Sequence, residues 1–284
     1  MVSCIVCGSQ QSAGLTGWHA FCRACGYESA ALEGAINAAP AGAPVDEDER
    51  ERGLKALRQE NFRDIVGLAR RYARAGACKL LDVGCAHGWF LETARDSFEV
   101  LGIEPDASVG RRTAARGLPV RKGYFPDALR AGETFDVIVF NDVIEHIPDI
   151  HAALAACHGR LGEGGLLILN LPNSAGFFYR LSKLLARLGW RAPFERLWQK
   201  DLPSPHVHYF RRDNLARLVA GQGFVQVHSQ ALPSLRARGL LERMRCAGNI
   251  AGAALYLQYA AVLCKIPLLR VFPSDIEVSV FRKE

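Results

Sequence analysis

The sequence predicts an α/β fold built on a doubly wound, mostly parallel sheet of seven strands, with a small cysteine-bearing module placed before it. Three observations carry this expectation. Short apolar runs such as Phe135–Phe140 and Leu166–Leu171 are continuous rather than alternating, as in strands covered on both faces, and helical segments separate them. A loop containing Gly84 and Gly88 follows the first of these runs. Four of the nine cysteines fall within the first 25 residues, as Cys4-x2-Cys7 and Cys22-x2-Cys25. A chain of 284 residues, 49% hydrophobic, has room for one α/β domain plus an appendage and can bury a large core without cross-links. The net charge of +6 is modest; basic residues gather at Arg180–Arg196 and Arg236–Arg245, while Asp46–Glu51 is mostly acidic. The N-terminus has neither the charged start nor the apolar segment of a leader, and the cysteine usage suits a reducing compartment, so the expected location is cytoplasmic.

Taken in order, residues 1–28 read as a zinc ribbon and 29–52 as a linker, rich in Ala, Gly and Pro from Ala30 to Pro44. Apolar residues at helical spacing from Leu54 to Arg74 (Leu57, Phe62, Ile65, Leu68, Tyr72) predict an amphipathic helix leading into a main domain of residues 53–284. A strand is expected at Lys79–Cys85, a helix at Trp89–Ser97, a strand at Val100–Glu104, a helix at Ala107–Arg116 and a brief strand near Val120. Phe135–Phe140 and Leu166–Leu171 are read as buried strands flanking a helix at His151–Leu161. After an irregular stretch come a helix at Arg212–Gly221, a strand at Val225–Gln230 and a last strand at Ile276–Phe281, with helical insertions at about 174–205 and 233–273.

The loop Asp82-Val83-Gly84-Cys85-Ala86-His87-Gly88 lies at the carboxyl end of the first strand, where glycines allow a sharp turn and close approach of a ligand. Glu104 tips the second strand about 20 residues further on, where an acid can accept both hydroxyls of a ribose. A dinucleotide loop would need G-x-G-x-x-G to receive a pyrophosphate. Here the order is Asp-x-Gly-x-x-x-Gly, and the acid would harm such a site. It suits instead a ligand bearing an ammonium and a sulfonium, as S-adenosylmethionine does.

With Phe135-Asp136 through Asn141-Asp142-Val143-Ile144-Glu145-His146, and Leu161-Gly162-Glu163-Gly164-Gly165 through Pro172-Asn173, the pattern resembles the class I methyltransferases. The likeness is to the broad group that includes ubiquinone-biosynthesis O-methyltransferases and enzymes modifying sugars or surface polysaccharides, and it spans about Leu54 to Phe281. It implies a Rossmann-like fold and S-adenosylmethionine as cofactor. By position it implies that Asp82, Gly84, Cys85, Ala86 and Gly88 line the methionine and ribose, and that Glu104, followed by Pro105, holds the ribose hydroxyls. Tyr124 and Phe125 would flank the adenine, or simply pack in the core, and Asn141 would border the methionine part and the acceptor. Ala86 and His87 depart from the Gly and Thr usual in the family.

Methyl transfer is an in-line displacement at an activated carbon, so positioning and desolvation dominate, and a base is needed only for a protonated acceptor such as a hydroxyl. His146 is the first candidate. The family's Glu-x-x-Glu-His stretch implies a divalent metal, here on Asp142, Glu145 and His146; the alternative is that these residues only hold the loop. His206 and His208 are further candidates, either as base or as part of an acceptor-side wall.

The spacing C-x2-C-x14-C-x2-C predicts a closed, structural Zn(II) site on Cys4, Cys7, Cys22 and Cys25. Zinc ribbons often touch RNA, but Met1–Tyr27 carries Arg23 as its single Lys or Arg, so nucleic acid is not the expected partner. The basic amphipathic segment Phe177–Arg191 suits a membrane surface, a greasy acceptor or a packed lid. Arg243–Lys265, uncharged from Cys246 to Cys264, suits an interfacial or dimer-forming hairpin at the inner membrane face. The expected acceptor is a sugar, glycan or lipid-linked small molecule; the competing readings are an RNA methyltransferase and a catalytically silent cofactor-binding protein.

Overall fold

A computed structural model describes residues 2–35, 47–237, 240–246, 252–269 and 271–284. Residues 36–46 of the expected linker and 247–251 of the Arg243–Lys265 segment therefore lie outside the described residues. The N-terminal module is three short strands, β1 (Ser12–Ala13), β2 (His19–Phe21) and β3 (Glu28–Ala30), joined antiparallel. Helix α1 (Glu47–Tyr72) starts before its expected position and lays Phe62, Ile65, Leu68 and Ala69 against the main sheet.

The alternating part follows as β4 (Lys79–Val83), α2 (Trp89–Ala94), β5 (Glu99–Glu104), α3 (Ala107–Ala115), β6 (Val120–Lys122) and β7 (Phe135–Asn141). A 3-10 turn at Ile144–His146, α4 (Ile150–Arg160) and β8 (Leu161–Pro172) complete the parallel half. Asp106 caps α3 by accepting from the amides of Ser108 and Val109, and Asp149 caps α4 through Ala152, which fixes where both helices begin. Every residue of β7 is buried, as a strand covered on both faces requires. Each such aliphatic side chain contributes about 1.5–3 kcal/mol through loss of water contact.

Beyond β8 the chain forms α5 (Phe177–Arg187), α6 (Ala192–Leu197), β9 (His208–Tyr209), α7 (Arg212–Ala220), β10 (Phe224–Leu232), α8 (Leu240–Cys246), α9 (Ala253–Leu269) and β11 (Ile276–Lys283). The seven-stranded sheet has the order β10-β11-β8-β7-β4-β5-β6, with β11 antiparallel to both neighbours and the rest parallel. The expected fold class is borne out. The second sheet has no counterpart in the expectation: its order is β1-β2-β3-β9, so the cysteine module shares a sheet with a strand of the main chain. A two-residue strand such as β9 has too little pattern to be read from sequence.

Candidate active site

The loop between β4 and α2 is shaped by three left-handed residues, Gly84 (φ 71°), Ala86 (φ 44°) and Gly88 (φ 71°). A Cβ on Gly84 would lie 2.6 Å from Val143 Cγ2, and one on Gly88 2.6 Å from Thr113 Cγ2, so both positions need glycine for space as well as conformation. Gly84→Ala is expected to cost about 2–5 kcal/mol, the left-handed penalty plus overpacking, whereas Ala86→Gly is expected to be near neutral. Urea unfolding of the two variants checks this pair; equal stabilities would refute it.

Glu104, 7% exposed at the tip of β5, ties the loop down. Its Oε2 accepts from the Ala86 amide at 2.9 Å and its Oε1 from the Asp106 amide at 2.8 Å. Thr113 Oγ1 donates to the Ala86 carbonyl at 2.7 Å, closing the loop from α3. Beneath it Asp82 is 1% exposed and accepts from Asn141 Nδ2 at 3.2 Å. Burial, and secondarily the neighbouring Glu104, pushes the Asp82 carboxyl up to about 8. Burial raises Glu104 as well. Two buried carboxyls with no Lys or Arg paired to either among the described residues favour a cationic ligand, which would return them to the charged form.

Around this cradle Cys85 packs against Gly102 of β5, and Pro105 is half-buried at the end of that strand. Phe125 meets Phe140 edge-on at 5.8 Å, while Tyr124 stands 55% exposed at the rim. Asn141 is buried at the end of β7, within 3.5 Å of Asn170 Nδ2.

A second cluster lies beyond the end of β7. Glu145 is fully buried and, among the described residues, neither of its oxygens has a hydrogen-bond partner. Burial, with nearby Asp142 adding to it, raises its carboxyl well above the usual range. His146 Nε2 lies 4.0 Å and His206 Nε2 3.9 Å from Glu145 Oε1, with the two imidazoles 4.6 Å apart. His146 Nδ1 sits 2.8 Å from the Pro205 carbonyl, which can only accept, so Nε2 carries the lone pair of the neutral ring. Burial lowers His146 below its ordinary value and His206 to about 3. His206 Nε2 is 2.9 Å from Gln199 Nε2, and its Nδ1 has no partner.

Two sequence-expected residues stand apart from this cluster. Asp142 is engaged by Arg58 of α1 at 2.8 Å. His208 uses both nitrogens: Nδ1 is 2.5 Å from Tyr27 Oη, and Nε2 donates to the Ile147 carbonyl at 3.0 Å. The ligand atoms within 4.8 Å of one another are those of Glu145, His146 and His206, not of Asp142, Glu145 and His146. Arg58, Asn170 and Tyr27 have no signal in the sequence, since each is defined by a partner far along the chain, and Gln199 meets His206 across an irregular stretch with no period.

In the N-terminal module all four thiol sulfurs lie within 4.8 Å of one another, with Cys4–Cys25 and Cys7–Cys22 at 3.5 Å. Tetrahedral Zn–S bonds of about 2.3 Å require S–S separations of about 3.8 Å, whereas a disulfide needs about 2.05 Å. Gly8 and Gly26, at φ 75° and 74°, donate to the carbonyls of Cys4 and Cys22 and form the two knuckles. The donor set fits Zn(II).

A doubly wound sheet with an acid-floored glycine loop at β4 and an acid at the tip of β5 defines the class I methyltransferases, which use S-adenosylmethionine. A family model described as a methyltransferase domain matches residues 46–229, and the chain belongs to that family. It is 34% identical over 155 residues to a ubiquinone biosynthesis O-methyltransferase of Paramagnetospirillum magneticum, covering 51% of this chain and 62% of that one. It is 27% identical over 158 residues to the enzyme of the same name from Bradyrhizobium sp., covering 52% and 61%. The chain thus spans about 60% of the length of these relatives. Among solved structures, a methyltransferase from Thermotoga maritima aligns with a TM-score of 0.53 at 17% identity, covering 84% of this chain and 96% of the other. The cyclopropane synthase of Mycobacterium tuberculosis aligns with 0.52 at 19%, covering 77% and 82%. These two establish the fold alone.

Proposed function

We propose that the enzyme methylates a hydroxyl of a sugar, glycan or lipid-linked small molecule. Asp82, Gly84, Cys85, Ala86, Gly88, Glu104, Pro105 and Asn141 cradle the cofactor, with Tyr124 and Phe125 beside its adenine. The observation that carries the hydroxyl acceptor is His146: a neutral, partly buried imidazole whose Nε2 faces a buried carboxyl 4.0 Å away. As the acceptor oxygen takes the methyl group its proton passes to Nε2, and the imidazolium so formed holds it beside Glu145. The relatives named ubiquinone biosynthesis O-methyltransferases support transfer to oxygen.

The spacing of Glu145, His146 and His206 favours a second reading, in which these three hold a divalent cation that orients the acceptor oxygen. Zn(II) on Cys4, Cys7, Cys22 and Cys25 is structural in either case, because four thiolates leave no open position.

Helix α5 supports an apolar or lipid-linked acceptor. Tyr179, Ser182 and Ala186 face inward, and partly buried Lys183 meets Glu28 at 2.7 Å. Leu181, Leu184, Leu188 and Trp190 face out, with Arg180, Arg187 and Arg191 exposed among them. Among the described residues no helix is long and apolar enough to cross a membrane. The outward leucines and arginines instead match an anionic lipid surface. Leu184→Glu with Leu188→Glu is expected to weaken sedimentation with phosphatidylglycerol vesicles more than tenfold, at about 1.5–3 kcal/mol per leucine, without lowering thermal stability. Failure of the wild type to sediment would remove this part of the reading.

The function is tested with tritiated S-adenosylmethionine and three acceptor pools: a lipid extract, soluble glycans with nucleotide sugars, and total RNA. Label in either of the first two, absent in His146→Ala, supports the proposal. Label in RNA, or in nothing while cofactor binds, overturns it. Activity that survives chelation while the ribbon keeps its zinc favours the base over the second metal.

A further inference from the structure

We infer that the four-cysteine ribbon is a positioning module for the acceptor side of the active site, and that its metal sets the place of His206 without acting on the cofactor loop. The argument begins with β9. That strand lies at the edge of the small sheet, and its strand partner there is β3 of the ribbon, with Glu28 opposite Tyr209 and Ser29 opposite His208. The Ala30 amide donates to the Val207 carbonyl at 3.0 Å, extending the pairing by one residue. On its other side the same segment meets the catalytic cluster: the Val207 amide donates to the Glu145 carbonyl at 2.9 Å, and His208 Nε2 donates to the Ile147 carbonyl. The stretch 206–209 is thus clamped between the ribbon and the turn that carries Glu145 and His146.

The metal ligands take part directly. The Cys25 carbonyl accepts from Arg211 Nη2 at 2.8 Å and from Asn214 Nδ2 at 3.2 Å, both just after β9. The left-handed Gly26, with no side chain, lets the Arg211 guanidinium lie close against the knuckle. Tyr27, two residues from Cys25 and 1% exposed, bonds to His208 through its hydroxyl. On the far side of the ribbon, buried Glu28 accepts from Tyr179 Oη at 2.9 Å and from Lys183 Nζ, both of α5. Trp18 stacks on Phe194 at 5.7 Å and meets Trp198 edge-on, the residue whose carbonyl receives the His206 amide. A closed S4 site orders a small module whose own core could not do so. Here the order passes to β9 and to His206, two residues before it. The cofactor loop at residues 84–88 is held instead by Ile103, Glu104 and Thr113.

The inference uses the proposed function only in naming this face the acceptor side, and its test needs neither acceptor nor methyl transfer. Amide hydrogen exchange is followed in the full-length protein as zinc-loaded, chelator-stripped and zinc-restored wild type, and as zinc-loaded Tyr27→Phe; S-adenosylmethionine affinity is measured by calorimetry on each. Stripping is expected to speed exchange at residues 204–211 about tenfold or more, with residues 79–91 and the cofactor Kd unchanged within about twofold. Restored zinc is expected to return wild-type protection. Tyr27→Phe is expected to hold its zinc yet exchange faster at 204–211, a loss that added zinc does not rescue. Unchanged exchange at 204–211 after stripping would overturn the inference. So would a parallel loss of cofactor affinity, since the ribbon would then only stabilise the domain as a whole. Wild-type protection in Tyr27→Phe would overturn the route through Tyr27.

Discussion

Glu104→Ala is expected to weaken S-adenosylmethionine binding at least a hundredfold while the protein stays folded. Two losses combine. The carboxylate is the group placed to accept both ribose hydroxyls, and hydrogen bonds to a charged group contribute about 1.5–3 kcal/mol each. It also receives the amides of Ala86 and Asp106, so its removal leaves two donors unpaired and frees a loop already holding Ala86 in the left-handed region. Glu104→Gln should not rescue binding: one end of an amide donates, and it would face a backbone N–H at either position. Calorimetry on the two variants decides this; a Kd within about threefold of wild type in Glu104→Ala would show that the cofactor is held elsewhere.

His146→Ala is expected to lower kcat about 10²–10⁴-fold with the KM for S-adenosylmethionine unchanged, the range for loss of a general base. The pH dependence has a definite sign. His146 must be neutral to act, and burial lowers it below 6.5, so wild-type kcat should be flat through neutral pH and fall only as pH drops through that lowered value. Activity that instead fell below pH 7 and a half would point to another group. Stability is linked in the same direction. His206 and His208 are depressed to about 3 and about 4, so the folded state binds fewer protons than the unfolded chain below 6.5. Their contribution is complete above 6.5 and is lost as pH falls towards 4, at about 1.4 kcal/mol per pH unit for each. Denaturant midpoints measured across pH 4–7 separate this acid unfolding from the titration of the base.

The parallel half of the sheet was legible because buried strands write themselves as unbroken apolar runs: Phe135–Phe140 and Leu166–Leu171 were placed within a few residues of β7 and within β8. Asp82 and Glu104 were legible for a related reason, since each lies at the end of its strand, where the order of strands brings ligands. What escaped is long-range and has no period. Nothing near Asp142 indicates that Arg58 reaches it, and His206 comes to His146 from 60 positions further along the chain, held by the Val207 amide on the Glu145 carbonyl just before a two-residue strand. Helix α5 shows a different limit. Its amphipathic pattern was plain, but a pattern gives two faces without saying which one turns inward, and here Lys183 is drawn in by Glu28 while the leucines remain outside.

The place of β11 has a consequence for biosynthesis. It lies between β8 and β10, although it is made after both. Until residues 276–283 have left the ribosome, β8 presents an unpaired edge whose residues Leu166–Leu171 are wholly apolar but for Asn170, and β10 has no neighbour at all. Exposed apolar edges invite pairing with other chains. Any state in which the parallel half forms before β11 is made would carry that open edge, so the chain should depend on chaperones during synthesis far more than the finished molecule does at rest.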